Sequence, residues 1–253
     1  MKLTKMLINS RQKKIGLGTG RQNVPLKDFM KRKKSLNDIK PNEIWDSENI
    51  FHLKTDISRI GKLIYHYEFY KKILNVPGDI VECGVFKGIS LIRFLTYRSI
   101  LENNNSRKVY GFDSFGKFPS AENPDDKEFI KKWENSAGDG ISKDELNKIL
   151  LEKKFENFEL IKGDVHKTIP NFIKDKDSTK IALLHLDMDV YEPTKYAINK
   201  LFERMSSNGI ILIDDYVAVE GATRAIDEFL KPKKGLKLQK LTHYEVPSYI
   251  VVP

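Results

Sequence analysis

The sequence has little cysteine and no long hydrophobic run, and both absences narrow the kind of protein that it encodes. Its single cysteine, Cys83, excludes an internal disulfide framework and is typical of a protein in a reducing cytoplasm. Apolar stretches such as 210–213 are far shorter than the roughly 20 residues of a membrane-spanning helix. The basic N-terminus lacks the apolar segment and the small-residue cleavage site of a secretory signal. We therefore expect a soluble, cytoplasmic protein.

The excess of positive charge is confined to the start of the chain. The net charge is +9, yet residues 1–40 hold 12 basic and 2 acidic side chains. The remaining residues hold 32 basic and 33 acidic side chains, so their charges nearly cancel. Because the main body is neutral, we expect no nucleic-acid partner. Residues 1–44 are interpreted as a basic N-terminal arm. It is either a solvated, partly disordered tail or a segment that contacts an acidic partner or a membrane surface through residues 1–40.

Alternating strand and helix patterns predict the fold of residues 45–253. Short apolar segments read as strands, and each of the first five is followed by a helical segment. The predicted strands are 79–83, 108–112, 158–161, 181–186 and 210–213, with a closing antiparallel pair at 236–241 and 248–252. Near-continuous apolar strands separated by helices predict a single α/β domain, in which a doubly wound, mostly parallel sheet has helices on both faces.

A helix is predicted ahead of the first strand, ending near residue 74. Its apolar residues recur at three- and four-residue spacing, at Ile57, Ile60, Leu63, Ile64 and Tyr67. The aromatic residues within 65–70 are interpreted as core or subunit-contact residues. His185, inside a predicted strand, is interpreted as a packed or hydrogen-bonded core histidine, and His66 shows no ligand spacing.

A glycine-bearing turn follows the first predicted strand. Gly84 and Gly88 allow the backbone to turn tightly and to approach a ligand before the next helix begins. Phe86 and Ile89 stand where the dinucleotide fingerprint G-x-G-x-x-G would require glycines. The turn is therefore not a pyrophosphate-binding loop of that type.

Acidic residues follow the next two strands, at the edge where doubly wound sheets bind ligands. Asp113 and Ser114 come after the second strand, where a carboxylate can accept hydrogen bonds from ribose hydroxyls. Asp164 comes after the third strand, where it would lie near an adenine ring. Each acid alone is also compatible with a surface or capping role. Together, these strand ends suggest an adenosine ligand.

Two acidic pairs follow the fourth and fifth strands. Asp187 and Asp189 come directly after 181–186, and Asp214 and Asp215 come directly after 210–213. If the two strands are neighbours, four carboxylates converge and repel one another unless a cation compensates them. An all-oxygen ligand set favours Mg²⁺ over Zn²⁺. The alternative is that the acids are solvated caps of the strand ends.

Several of these segments resemble the macrocin O-methyltransferases, over roughly residues 60–230. The matching motifs are Val81-Glu82-Cys83-Gly84-Val85 with Lys87, Gly88 and Ser90, then Asp113-Ser114-Phe115, the segment 186–192 (LDMDVYE), Asp214-Asp215-Tyr216, Gly221 and the segment 224–227 (RAID). The resemblance implies a Rossmann-like class I methyltransferase with a seven-stranded sheet. It further implies S-adenosylmethionine and Mg²⁺ as cofactors, and a hydroxyl of a deoxysugar, nucleotide sugar, glycoside or glycan as the methyl acceptor.

The resemblance also implies roles for individual residues. It assigns cofactor binding to Glu82, Gly84, Gly88, Ser90, Asp113, Ser114 and Asp164. It assigns the metal to Asp187, Asp214 and Asp215, and general-base catalysis to Asp189. Relatives of this kind also suggest self-association, most simply as a homodimer.

Three hypotheses stand beside this interpretation. Residues 116–140, with Trp133 and a glycine-flanked break, are predicted to form a lid over the cofactor. The same metal site would serve a small diol or catechol-like acceptor. A non-catalytic protein would keep the fold and bind the cofactor, or an acidic partner through its basic arm.

Overall fold

A computed structural model describes residues 40–119, 121–242 and 247–253 of the chain. Residues 1–39, which make up most of the predicted basic arm, lie outside the described residues, so the interpretation of the arm stays a prediction. The first described helix begins at Pro41, inside the predicted arm rather than after it. None of the described helices combines the length and apolar character needed to cross a bilayer.

Strands and helices alternate along the described chain in the predicted order. Two helices come first, α1 (Pro41–Lys54) and α2 (Ile57–Lys72). The other elements are β1 (Asp79–Cys83), α3 (Ile89–Leu101), β2 (Val109–Asp113), α4 (Pro124–Ala137), α5 (Lys143–Glu152), β3 (Phe158–Lys162), α6 (Val165–Asp175), β4 (Ile181–Leu186), α7 (Tyr191–Leu201), β5 (Met205–Ile213), α8 (Glu220–Leu230), β6 (Leu238–Lys240) and β7 (Ser248–Val251). β5 begins at Met205 rather than at residue 210, directly after a short 3₁₀ turn (Phe202–Arg204).

The strands form one seven-stranded sheet in the order β3-β2-β1-β4-β5-β7-β6. β1 to β5 pair in parallel, whereas β7 runs antiparallel to both β5 and β6. This arrangement confirms the doubly wound α/β prediction and its antiparallel C-terminal edge. Since strand order reverses between β1 and β4, the crevice beyond their carboxyl ends is the expected ligand site.

Two hydrophobic cores cover the two faces of the sheet. Neighbouring residues of a strand point to opposite faces, so Ile80 joins one core and Val81 joins the other. The first core contains side chains of α2, α3 and α5, and the second contains side chains of α6, α7 and α8. Helices are thereby fixed on both faces, and the loops at the carboxyl ends of the strands are held between them.

The buried face of α2 differs from the one that apolar spacing indicated. Tyr65 and Phe69 are fully buried, whereas Ile57 is 85% exposed and Ile64 is 42% exposed. The aromatic rings bury more area than the aliphatic side chains do, so the helix is oriented with its aromatic face against the first core. The interpretation of these aromatic residues as core is therefore confirmed. Lys62 shares this side of α2, because it lies three residues before Tyr65 and seven before Phe69.

Candidate active site

A cavity of about 1600 Å³ opens at the carboxyl ends of the parallel strands. It exceeds the roughly 300–1,000 Å³ that a typical small-molecule pocket encloses, so it has room for a cofactor and an acceptor together. The predicted site residues that line it are Gly84, Ser90, Asp113, Ser114, Asp164, Asp187, Asp189, Asp214 and Asp215. Glu82 and Gly88, which sequence reasoning also assigned to the cofactor, are not among the lining residues.

The glycine turn after β1 brings this loop against the loop after β4. Gly84 has φ +94°, and a Cβ there would lie only 1.8 Å from the carbonyl oxygen of Asp187. Any other residue would therefore drive the two loops apart. Gly88 has φ +80° and precedes the first turn of α3, whose second residue, Ser90, faces the cavity.

Asp113 organises the glycine turn through its carboxylate. One oxygen accepts hydrogen bonds from the backbone N–H groups of Val85 at 2.8 Å and Phe86 at 3.0 Å, and the other accepts one from Phe115 at 2.5 Å. Ser114 donates its hydroxyl to the carbonyl oxygen of Lys117 at 2.7 Å. The Ser114 hydroxyl also lies 3.4 Å from the second Asp113 oxygen, so Asp113 has four polar neighbours for its roughly four lone-pair positions.

Asp164 caps the N-terminus of α6. Its carboxylate accepts hydrogen bonds from the backbone N–H of His166 at 2.9 Å and contacts the imidazole Nδ1 of the same residue at 2.8 Å. Burial acts to raise the pKa of Asp164, but these hydrogen bonds outweigh burial and lower it. Asp164 is therefore an ionised acid at the far end of the cavity from β4 and β5.

Glu82 lies beneath the site rather than at its surface. Its side chain is fully buried in β1, and Oε1 lies 2.9 Å from Nδ1 of His185, which is buried in β4. Burial acts to lower the pKa of His185, but the carboxylates of Asp214 and Glu82 outweigh it and raise the pKa to about 9. His185 is thus a hydrogen-bonded core histidine, as predicted.

The four carboxylates that follow β4 and β5 do converge. Backbone pairing continues past both strands, since Asp187 N–H donates to Cys83 and Asp214 N–H donates to Leu186. Carboxylate oxygens of Asp187, Asp214 and Asp215 all lie within 4.8 Å of one another. Asp189 completes the group, with its backbone N–H donating to the carboxylate of Asp215 at 3.0 Å.

The members of this carboxylate cluster disturb one another's ionisation. Burial and the neighbouring carboxylates raise the pKa of Asp187 to about 6 and that of Asp189 to about 7. The same causes raise the pKa of Asp215 well above its usual value. For Asp214, burial acts in the same direction, but Lys62 and His185 outweigh it and hold its pKa well below the usual value. The cluster therefore carries more negative charge than its surroundings compensate.

Lys62 and Tyr65 of α2 complete the site, and sequence reasoning missed both. The Lys62 ammonium lies 2.6 Å from Oδ2 of Asp214 and 3.7 Å from Oδ2 of Asp187. The Tyr65 hydroxyl donates to Oδ1 of Asp214. Burial acts to lower the pKa of Lys62, but the attraction of Asp214 and Asp187 outweighs burial and raises it, so the ammonium stays charged.

The donor set fits a hard divalent cation. Asp187, Asp214 and Asp215 each offer a carboxylate oxygen in the same small volume, and oxygen is the donor that Mg²⁺ prefers. Their raised or strongly shifted pKa values are what uncompensated like charges produce. His66 and His185 also lie near Asp214, although His66 showed no ligand spacing in the sequence. His185, however, is already paired with Glu82.

The predicted lid segment forms one wall of the cavity. Trp133 of α4 lines it, and its ring lies 5.7 Å from the ring of Phe86 in the glycine turn. Asp126, at the start of α4, accepts a hydrogen bond from the backbone N–H of Tyr191 at 3.1 Å. The segment thus contacts both the glycine turn after β1 and the start of α7. Whether it opens and closes stays a prediction.

Comparison with known proteins identifies relatives of one kind. The 8-demethyl-8-(2,3-dimethoxy-alpha-L-rhamnosyl)-tetracenomycin-C 4'-O-methyltransferase of Streptomyces olivaceus is 28% identical over 188 residues, covering 73% of this chain and 69% of that one. The demethyldecarbamoylnovobiocin O-methyltransferase of Streptomyces niveus is 30% identical over 164 residues, or 61% of this chain and 59% of that one.

Solved structures of methyltransferases share the fold. The O-methyltransferase NovP has a TM-score of 0.63 at 23% identity, covering 76% of this chain and 79% of that one. The calicheamicin methyltransferase CalS11 has a TM-score of 0.65 at 22% identity, covering 98% and 92%. A sequence model described as macrocin-O-methyltransferase (TylF) matches residues 67–242, which include every predicted site residue. The chain is therefore an O-methyltransferase, and it belongs to the macrocin O-methyltransferase (TylF) family.

Proposed function

We propose that the chain transfers the methyl group of S-adenosylmethionine to a hydroxyl of a sugar, with Mg²⁺ held by Asp187, Asp214 and Asp215. One observation carries the proposal: the carboxylate cluster meets the glycine turn inside a single cavity large enough for two ligands. The family supports the methyl transfer. The name of one relative, the rhamnosyl-tetracenomycin enzyme, supports a sugar acceptor.

The cofactor would lie along the ends of β1, β2 and β3. Gly84 and Ser90 border the place for its methionine part, Asp113 and Ser114 that for its ribose, and Asp164 that for its adenine. The sulfonium supplies an already activated methyl group. What remains for the protein is to align the acceptor oxygen with that methyl group and to exclude water, which proximity and orientation accomplish. In this proposal Glu82 acts only by holding His185.

Asp189 is the proposed general base. It is 7% exposed, and in the metal-free site burial together with Asp187 and Asp214 raises its pKa to about 7, so a carboxylate able to take a proton lies at the cavity wall. Its position is fixed through its backbone N–H bond to Asp215. Asp189 would take the proton of the sugar hydroxyl as the new carbon–oxygen bond forms. Bound Mg²⁺ would supply Lewis acidity that favours loss of this proton.

The test is an acceptor panel measured by mass spectrometry and by release of S-adenosylhomocysteine. Purified protein is incubated with S-adenosylmethionine and Mg²⁺ and with a deoxysugar nucleotide, a rhamnosylated glycoside or catechol. A mass gain of one methylene on a sugar compound is the expected result. Methylation of catechol alone would overturn the sugar assignment but keep the methyltransferase. No methylation together with no S-adenosylhomocysteine binding would overturn the proposed cofactor chemistry of this chain.

A further inference from the structure

One ammonium group reaches into the carboxylate cluster from outside the sheet. Lys62 extends from α2 and meets Asp214 at 2.6 Å and Asp187 at 3.7 Å, and its side chain is 23% exposed. Tyr65, one turn further along α2, donates to the other oxygen of Asp214. Two donors from one helix thus fix the same carboxylate. The packing of α2 against the sheet positions them both.

Lys62 offsets only part of the charge in the cluster. The Lys62 ammonium pairs with two of the four carboxylates, those of Asp214 and Asp187, and among the described lysines and arginines it is the one that forms ion pairs with the cluster. His185, the nearest other cation, shares its charge with Glu82 at 2.9 Å and lies 3.9 Å from Asp214, too far for a hydrogen bond. Without Lys62, no ammonium of the described residues would oppose the mutual repulsion in the metal-free cluster.

We infer that Lys62 is a tethered counter-ion that stabilises the metal-free site and competes with the divalent cation for Asp214 and Asp187. The competition follows from geometry, because the oxygen that Lys62 occupies belongs to a carboxylate offered to the metal. An ammonium and a divalent cation that share one carboxylate repel each other strongly in a partly buried site. This inference rests on the proposed metal site.

The lysine stem allows both states. Lys62 lines the cavity, and its four-carbon chain is flexible enough to withdraw the ammonium towards the open space when a metal enters. The divalent cation would then replace the single positive charge of the ammonium at these carboxylates with two. The metal-free protein stays folded, and the affinity for Mg²⁺ is lower than the three carboxylates alone would give.

The test compares Lys62→Met, Lys62→Arg and the control Lys195→Met by two readouts, neither of which is activity. Mg²⁺ is titrated calorimetrically into each protein, and each is melted in EDTA. We expect Lys62→Met to lower the dissociation constant of Mg²⁺ about tenfold and to lower the melting temperature in EDTA by about 5 °C. Lys62→Arg should stay near wild type in both. Lys195 pairs with Glu228 on the surface, so its loss should leave the Mg²⁺ affinity unchanged.

The outcomes separate this inference from the proposed function. Wild type without measurable Mg²⁺ binding and Lys62→Met with clear binding would support the inference. Equal or weaker binding by Lys62→Met, beside a wild type that binds Mg²⁺, would overturn the inference and leave the metal site intact. Absence of binding in both proteins would overturn the two together. If Lys62→Met does not fold in EDTA, Lys62→Gln gives the same comparison.

Discussion

The cavity has two acidic edges that use their carboxylates in opposite ways. At the edge proposed for the cofactor, called the cofactor edge, beyond β2 and β3, Asp113 and Asp164 accept hydrogen bonds from nearby backbone N–H groups and so hold the loops in place. At the edge proposed for the metal, called the metal edge, beyond β4 and β5, Asp187 and Asp215 lie against other carboxylates and their pKa values rise. Backbone donors thus satisfy the carboxylates of Asp113 and Asp164, whereas those of Asp187 and Asp215 are left with mutual electrostatic repulsion.

The difference separates acids that build the site from acids that need a ligand. A carboxylate with two or three backbone donors has most of its hydrogen-bonding capacity filled before any ligand arrives. Carboxylates packed against each other cost stability in the free protein, and a cation would repay that cost. Lys62 compensates a part of the conflict, and a divalent cation would compensate the remainder.

The largest expected effect is on turnover, at the metal edge. Asp189→Asn removes the proposed base and should lower the methylation rate by about 10²- to 10⁴-fold. Asparagine tolerates the left-handed backbone of this residue, φ +63°, so the loop should keep its shape. Binding of S-adenosylhomocysteine, measured by calorimetry, should not change. The matched control is Asp177→Asn, because Asp177 is exposed and lies just before β4, at the amino ends of the parallel strands. Full activity of Asp189→Asn would remove the base assignment.

The two neighbouring acids at the end of β5 should change stability with opposite signs. Asp214→Asn leaves Lys62 and Tyr65 without their ionised acceptor and should destabilise the metal-free protein by about 3 kcal/mol. Asp215→Asn removes a like charge and keeps an oxygen for the backbone N–H of Asp189, so it should stabilise by about 1 kcal/mol. Urea unfolding in EDTA measures both changes. Equal destabilisation by both variants would contradict the contrast between a compensated acid and a conflicting one.

At the cofactor edge, the expected effect is smaller and falls on a different ligand. Asp113→Asn keeps one acceptor oxygen where three backbone donors converge, so at least one N–H loses its partner, at a cost of about 1–3 kcal/mol. The glycine turn should loosen and the affinity for S-adenosylhomocysteine should fall about tenfold, while that for Mg²⁺ stays the same. Calorimetric titration of both ligands checks this. A loss of Mg²⁺ affinity instead would show that the edges are not separate.

The smallest effect concerns the wall formed by α4. If this segment closes over the cofactor, the Trp133 ring loses contact with water as it packs against Phe86. Its fluorescence should then shift slightly to the blue when S-adenosylhomocysteine binds. Trp45 is 66% exposed and must first be replaced, as in Trp45→Phe. The double variant that also lacks Trp133 supplies the blank. An unchanged spectrum at saturating ligand would count against closure.

Most of the fold was predictable because strand positions depend on local pattern. Each predicted strand is present, and the convergence of Asp187 with Asp214 follows once β4 and β5 are neighbours in a parallel sheet. The start of β5 at Met205 was missed because polar residues, Ser206 to Asn208, interrupt its apolar run. Met205 pairs with Ile181 of β4 and the register then shifts before Leu183 pairs with Ile210, an irregularity that local pattern does not reveal.

The remaining parts of the site depend on tertiary packing. Lys62 lies 125 residues before Asp187 in the chain, and only the packing of α2 on the sheet brings them together. A signal was available, since Lys62 shares a helical face with Tyr65 and Phe69, and a lysine on an aromatic face is unusual. The pairing of Glu82 with His185 needed the register between β1 and β4, which places these two residues side by side.

The decisive experiment on the carboxylate cluster is calorimetric titration of Mg²⁺ into wild type and Asp215→Asn, each saturated with S-adenosylhomocysteine. Asp215→Asn keeps the loop bond to Asp189 but loses one of three carboxylates offered to the metal. The account predicts one saturable Mg²⁺ site in wild type and a loss of that site in the variant. Equal affinity in both proteins, or no saturable site in either wild type or Lys62→Met, would contradict the claim that this edge of the cavity is built for a divalent cation.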